Sequence, residues 1–189
     1  MLCSMALYGW PVYQCQAATT PLSMQLTDGI RVLDIRLSIK DGQLFAYHAQ
    51  FPQSASFQSI LVDLHAFLTC PMSARETVIV SIKQEDYDVN SPEVFSTLVR
   101  EEIEAGPGGI GMWFLENRIP TLGEVRGRVV MFSRFGDGAG WEGGLEGMGI
   151  HPTTWPDSAK EGFTWTCKDV LVRTQDWSVT PLLSAAADH

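Results

Sequence analysis

Five ionisable side chains stand at spacings that could do chemistry together: Asp34 and Arg36, His48, and Lys83 with Glu85. Each lies in a stretch where apolar and polar residues alternate, the period-two signature of a strand. Over residues 30–37 the alternation sets Asp34 and Arg36 on one face, beyond Ile30 and Val32, and turns Leu33, Ile35 and Leu37 the other way. Over residues 43–48 it groups Leu44, Ala46 and His48, and further on it groups Ile79, Ser81, Lys83 and Glu85. Three strands that end in ionisable residues on one side are how a barrel or doubly wound sheet assembles a site at its carboxyl edge. Arginine, lysine and histidine beside one carboxylate make a cationic pocket suited to a phosphate, with Arg36 offering two parallel donors and His48 a proton near neutral pH. The class this suggests is phosphoryl chemistry. Singly, each residue has a plainer reading: Asp34 with Arg36 as a structural ion pair, His48 as a satisfied core histidine, Lys83 as a solvated strand end. Their coincidence argues for a site.

The elements that must position these groups follow from pattern. A short helix is expected over 21–28, strands over 30–37 and 43–48 joined by a turn at Asp41-Gly42, and a helix over 56–68. In that helix Phe57, Ile60, Leu61, Leu64 and Leu68 fall at helical spacing and should face a sheet. Residues 76–83 are rich in β-branched side chains and read as a buried strand. Ser91 and Pro92 open a helix that runs to about residue 105, before the breaker at 106–109. Further strands are expected at 128–134 and, briefly, 170–173. Strands alternating with helices favour a parallel α/β sheet, open or closed into a barrel. The roughly five strands legible here are fewer than a complete (β/α)₈ barrel of about 250 residues needs, so a barrel is expected to be incomplete.

The chain has 189 residues, 45% hydrophobic and 19% charged, which bounds it to one globular domain with a real core. Thirteen basic against 22 acidic residues give a net charge of −9, which excludes nucleic-acid binding by counterion release and predicts repulsion from an anionic membrane. Cys3, Cys15, Cys70 and Cys167 form no CxxC pair, so no zinc knuckle or thioredoxin-like motif is written here, while a disulfide stays open. No apolar run is long enough for a spanning helix, and the opening residues lack the basic region and apolar run of a signal peptide. The expectation is a peripheral or secreted protein if the native N-terminus is longer. Two GxGxxG matches, at 106–111 and 138–143, lack the strand-to-helix context of a dinucleotide site and read as loops. Trp141, Trp113-Phe114, Trp155 and Trp165 read either as an aromatic rim for a lipid interface or as buried packing. His65 has no evident partner, and His151 reads as structural. Glu85, Asp86 and Asp88 imitate an acidic metal loop, but their spacing fits no EF-hand and a solvated loop is the better reading.

Arg31-Val-Leu-Asp34-Ile-Arg36-Leu, Ala46-Tyr47-His48, Ile79-Val-Ser81-Ile-Lys83-Gln-Glu85 and the segment from Arg118 to Gly127 together resemble the X region of phosphatidylinositol-specific phospholipase C, in the single-domain, bacterial-type branch also found in fungi. The resemblance runs from about Ser4 to Trp177. It implies an irregular TIM barrel that cleaves phosphatidylinositol to diacylglycerol and an inositol phosphate through a cyclic intermediate. It further implies that His48 is the general acid, that Asp34 orients the catalytic groups and Arg36 holds the phosphate, and that Lys83, Arg134 and Asp176 bind substrate. Arg36 and Lys83 stand where the calcium-dependent branch has acidic metal ligands, so the resemblance implies a metal-independent enzyme with no cofactor. Its partners would be phosphatidylinositol or an inositol-phosphate headgroup, with transient contact at a membrane surface.

The sequence departs from the family pattern at several points. Ser178 stands where a ring-stacking aromatic is expected, with Trp177 beside it as a substitute, and Ala49 replaces a glycine. The general base of the family comes from a Gly-Thr-His segment; Ser4-Met5 aligns just after it, and Leu2 and Cys3 fall at the histidine and its neighbour. Neither can accept a proton as an oriented imidazole does. Read this way the domain is incomplete at both ends and is expected to turn over slowly or not at all. The alternatives are an inactive headgroup-binding module and a truncated gene product. Glycerophosphodiester- or sphingomyelin-cleaving barrels suit the pocket but normally need acidic metal ligands where Arg36 and Lys83 stand.

Overall fold

The computed structural model describes residues 20–48, 51–136, 140–141, 144–156 and 159–176. The chain divides into two compact units, Met1–His151 and Pro152–His189. In the first, helix α1 (Leu22–Thr27) leads into β1 (Val32–Lys40), which turns through Asp41 and Gly42 into β2 (Gln43–His48). Both turn residues have positive φ, 52° and 76°. A two-residue hairpin requires that left-handed pair, and Asp-Gly adopts it at low steric cost. β3 (Phe51–Ser56) follows, and Ser56 caps α2 (Phe57–Thr69), its Oγ accepting the Ser59 N–H at 3.1 Å. The chain then forms β4 (Val78–Gln84) and α3 (Pro92–Ala105), with Ser91 as N-cap and Pro92 at the first helical position. A 3₁₀ turn (Ile110–Met112), the two-residue β5 (Trp113–Phe114) and β6 (Val129–Arg134) follow.

These strands form one sheet in the order β3-β2-β1-β4-β6-β5. β1, β4, β6 and β5 run parallel to one another, while β2 and β3 are antiparallel additions at one edge. The expected α/β architecture is therefore present as a mostly parallel sheet that stays open among the described residues. Its antiparallel edge follows from the expected turn at Asp41-Gly42, because a two-residue turn cannot make the crossover that parallel neighbours need. On one face Leu33, Ile35, Leu37, Val78, Val80, Ile82, Val129 and Met131 pack with α2 and α3. All five apolar positions expected on α2 are buried. Fully burying each such aliphatic side chain is worth roughly 1.5–3 kcal/mol, and this layer fixes the strands that carry the charged residues.

Three strands were not legible in the sequence. β3 carries Pro52 and polar residues, as an edge strand does; β5 is two residues long. The third, β7 (Ala159–Cys167), pairs antiparallel with β8 (Val170–Asp176) as the hairpin of the second unit, longer than the strand expected at 170–173. Gly162 interrupts the β7 pattern with φ 76°, and a Cβ there would lie 2.7 Å from the Thr174 carbonyl oxygen. Within this hairpin the Trp165 indole donates to Thr174 Oγ1 at 2.9 Å, and Trp155 meets Phe163 edge-on at 5.2 Å.

The tryptophans resolve in favour of packing. Trp113, Phe114 and Trp165 are buried, and the Trp141 indole donates to the carbonyl and hydroxyl oxygens of Ser96 at 3.0 and 2.7 Å. An aromatic rim built on these residues is therefore corrected, since their faces and donors are already engaged. Cys70 is an exposed free thiol and Cys167 is buried, while Cys3 and Cys15 lie outside the described residues. No helix among the described residues is long and apolar enough to cross a membrane.

One carboxylate is built into the helical layer. Glu102 on α3 accepts the Leu44 N–H through Oε1 at 2.6 Å, and the Gln58 side-chain amide approaches Oε2 at 3.4 Å. Burial pushes its acidity above the usual 4.5, against the opposing pull of those donors. A carboxyl whose folded value is raised contributes stability that is full below the unfolded value and is lost as pH rises through the folded one. Urea midpoints measured from pH 4.5 upward should therefore fall more steeply for the parent chain than for Glu102→Gln, which cannot ionise but still accepts from Leu44.

Candidate active site

The site is a consequence of register. β1 pairs with β4 so that Asp34 lies opposite Ser81 and Arg36 opposite Lys83. β4 pairs with β6 so that Lys83 lies opposite Arg134. Three cations thus stand in one row across three adjacent parallel strands, at the carboxyl ends of β4 and β6 and midway along β1. Strands in a sheet are about 4.8 Å apart, and like charges directly opposite one another destabilise the pairing. The row persists because two carboxylates thread it. Asp34 accepts from Arg36 Nε at 3.1 Å through Oδ2 and from Arg134 Nη1 at 3.4 Å through Oδ1, where Ser81 Oγ also donates at 3.4 Å. Glu85, one residue past β4, accepts from Arg36 Nη1 at 3.2 Å and lies 3.5 Å from Lys83 Nζ.

Exposure divides these groups into a floor and a mouth. The side chains of Glu85 and Arg134 are 8% and 9% exposed, whereas Asp34, at 40%, opens to solvent with Arg36 and Lys83 beside it. Burial works against the Arg36 charge, but Asp34 and Glu85 outweigh it and raise the guanidinium above its ordinary value. Arg36 is therefore a permanent cation whose direction is set by two carboxylates on different elements. Among the described residues the array sets three cations against two carboxylates, in a chain whose overall charge is −9. Such an array can bind an anion with several oxygens, a phosphate above all, and stabilise charge that develops on it.

Of the residues singled out in the sequence, the fold brings Asp34, Arg36, Lys83 and Arg134 together. His48 closes β2, its backbone in register with Phe51 of β3, and its side chain lies outside the described part of the structure. Leu44 and Ala46, which share its alternation, are buried opposite Ile39 and Leu37, so those two side chains lie on the hydrophobic face and not on the Asp34 face. Asp176 belongs to the second unit, where its Oδ2 accepts the Trp155 indole N–H at 2.8 Å. Leu2, Cys3, Ala49, Trp177 and Ser178 lie outside the described residues.

Glu85 and Ser81 complete the array; alternation placed both on the face of Lys83, but neither was assigned a role from sequence. The signal was present, because both share the alternation of Lys83, but Glu85 also sits in an acidic run. Its neighbour Asp86 is half-buried and fully engaged in hydrogen bonds. It accepts from the Ile39 N–H at 2.7 Å, the Gln84 side chain at 3.0 Å and the Asn90 side chain at 2.8 Å, pinning the turn after β4. Among the described residues no group of three or more histidines, cysteines or carboxylates converges as a metal site. His151, read as structural, accepts that role: its Nδ1 meets Ser133 Oγ at 3.0 Å, its N–H donates to Asn117, and burial lowers its basicity. A cleft of about 460 Å³ beside Arg31 offers no comparable array, since Arg31 is committed to Glu76 at 3.0 Å and to the Leu26 carbonyl.

No protein-family model matches the chain. Among curated proteins it is similar to the 1-phosphatidylinositol phosphodiesterase of Listeria monocytogenes serovar 1/2a, 32% identical over 125 residues that cover 62% of this chain and 36% of the relative. It is also similar to the protein of that name from Staphylococcus aureus strain Newman, 29% identical over 116 residues covering 59% of this chain and 36% of the relative. The chain thus spans about a third of the length of these relatives. Among solved structures it overlays a variant of the phosphatidylinositol-specific phospholipase C from Staphylococcus aureus with a TM-score of 0.64 at 23% identity, over 84% of this chain and 52% of that one. The enzyme of that type from Listeria monocytogenes gives 0.51 at 30% identity, over 61% and 40%. These likenesses support the α/β, TIM-barrel-like fold, and these relatives and neighbours are bacterial phosphatidylinositol phosphodiesterases and phosphatidylinositol-specific phospholipases C.

Glu85 holds two cations that would otherwise repel each other, so Glu85→Gln should lower unfolding stability by about 1–3 kcal/mol. In a double-mutant cycle with Arg36→Met the two losses should sum to more than the double variant shows, and urea denaturation of the four chains measures the coupling.

Proposed function

We propose that this chain carries the phosphate-binding half of a phosphatidylinositol-cleaving phosphodiesterase site, of the X-region, bacterial type. The carrying observation is the row Arg36, Lys83 and Arg134, held by Asp34 and Glu85 at the carboxyl edge of a parallel sheet. In this reading the phosphodiester of the lipid binds at Arg36, whose planar guanidinium matches two phosphate oxygens, while Lys83 adds a point charge. Arg134 faces inositol hydroxyls. The inositol 2-hydroxyl attacks phosphorus and loses its proton to a base. The new oxygen–phosphorus bond closes a cyclic phosphate, and the bond to glycerol breaks as His48 protonates the leaving oxygen to give diacylglycerol. Water then opens the ring to inositol phosphate. Arg36 and Lys83 supply the positive charge that a divalent cation supplies in other phosphodiesterases, so the proposed reaction needs neither calcium nor a cofactor.

A second reading keeps the pocket and gives up the turnover. Leu2 and Cys3 align with the family's proton acceptor and its neighbour, and neither side chain is an imidazole. A chain of this kind would recognise inositol-phosphate headgroups without cleaving them.

Both readings place the anion on Arg36, and calorimetry with inositol 1-phosphate tests that directly. Arg36→Met should weaken binding by about 10- to 100-fold, the worth of charge-assisted hydrogen bonds. Chelator should leave binding unchanged. Equal affinity in parent and variant would overturn both readings, and release of inositol phosphate from phosphatidylinositol vesicles, with or without chelator, separates the first from the second.

A further inference from the structure

The cleft of about 460 Å³ beside Arg31 lies between α1, α2 and the segment that leads into β4, at the amino ends of the strands and away from the charged row. Its volume suits a small organic molecule. Ala66 and Phe67 of α2 make part of its wall apolar. The Arg31 guanidinium lies over the Phe67 ring at 4.6 Å, with Nε engaged by Glu76 and Nη1 by the Leu26 and Ile30 carbonyls. The open hydrogen-bonding positions of the cleft are therefore mainly acceptors. Asp63 is half-buried there, yet its carboxylate meets neither a donor nor a cation among the described residues. Glu76 binds Arg31 through Oε2 and leaves Oε1 open. Thr27 donates its hydroxyl proton to the Ser23 carbonyl, so its Oγ1 is left as an acceptor. Burying a carboxylate without a donor is unfavourable, and burial pushes the acidity of Asp63 above its ordinary range. The more deeply buried Glu85 and Glu102 are each met by donors.

We propose that this cleft binds a small aliphatic primary ammonium ion, with its nitrogen on Asp63 and its chain along Ala66 and Phe67. Such an ion carries three donors and no acceptor, the complement of Asp63, Glu76 Oε1 and Thr27 Oγ1. An anion would meet two carboxylates here, and a neutral apolar molecule would leave Asp63 without a partner. The site shares no residue with the charged row and does not depend on the reading given to that row.

Cys70, an exposed free thiol lining the same cleft, reports its occupancy. The test treats the whole chain with iodoacetamide at neutral pH and follows Cys70 by peptide mass spectrometry, in rising n-pentylammonium chloride, n-pentanol or sodium chloride. The ammonium should slow alkylation of Cys70 saturably, whereas the alcohol and the salt at equal concentration should leave the rate unchanged. Asp63→Asn keeps the shape and removes the charge, and should raise the half-protecting concentration by about tenfold, the worth of one charge-assisted hydrogen bond. Arg36→Met should be protected like the parent, so failure of the phosphate reading and failure of this one are distinguishable. Absence of saturable protection, protection by pentanol as strong as by the ammonium, or equal protection of Asp63→Asn and the parent overturns the proposal. The alcohol comparison uses the parent alone and decides the matter even where Asp63→Asn does not fold.

Discussion

The constraint on which the rest depends is the parallel register of β1, β4 and β6. It sets Arg36 opposite Lys83 and Lys83 opposite Arg134. A sheet does not hold three cations abreast without compensation, and here the compensation is specific. Asp34 bridges the two arginines, and Glu85 bridges Arg36 and Lys83. Among the described residues, two carboxylates set against three cations let the row fold while leaving it suited to an anion such as a phosphate.

The hydrophobic layer and the charged row are two faces of the same alternation. Leu33, Ile35 and Leu37 pack against the helices because they alternate with Asp34 and Arg36, and Val80 and Ile82 do so because they alternate with Ser81 and Lys83. A one-residue slip of β1 against β4 would bury the charges and expose the core, so the packing that stabilises the sheet also fixes the site. Asp86 extends this control past the strand end. By accepting the Ile39 N–H it joins the turn after β4 to β1 and sets where Glu85 emerges.

Local pattern made the principal helices, the Asp41-Gly42 hairpin and the charged face of β1 and β4 legible, because each depends on residues a few positions apart. Arg134 came only through resemblance: most of β6 is buried, and a single charge at its end says little by itself. The role of Glu85 was not assigned because its partner Arg36 is brought to it by cross-strand register, which no window of sequence contains. The tryptophans were ambiguous for a related reason. Whether an indole faces solvent or Ser96 is decided by α3, far away in sequence. Gly162 and Pro52 hid β7 and β3, since strand patterns are recognised by the regularity that these residues break.

The central claim is that Arg36, Lys83 and Arg134 act as one anion site. Nitrogen-15 spectra of the arginine and lysine side chains, recorded during titration with inositol 1-phosphate, test it most directly. The account predicts saturable shifts of Arg36 Nε and Lys83 Nζ with a common dissociation constant, accompanied by Arg134, while Arg31, paired with Glu76 at the other end of β1, stays still. Shifts that do not saturate, or that are as large at Arg31 as at Arg36, would contradict it.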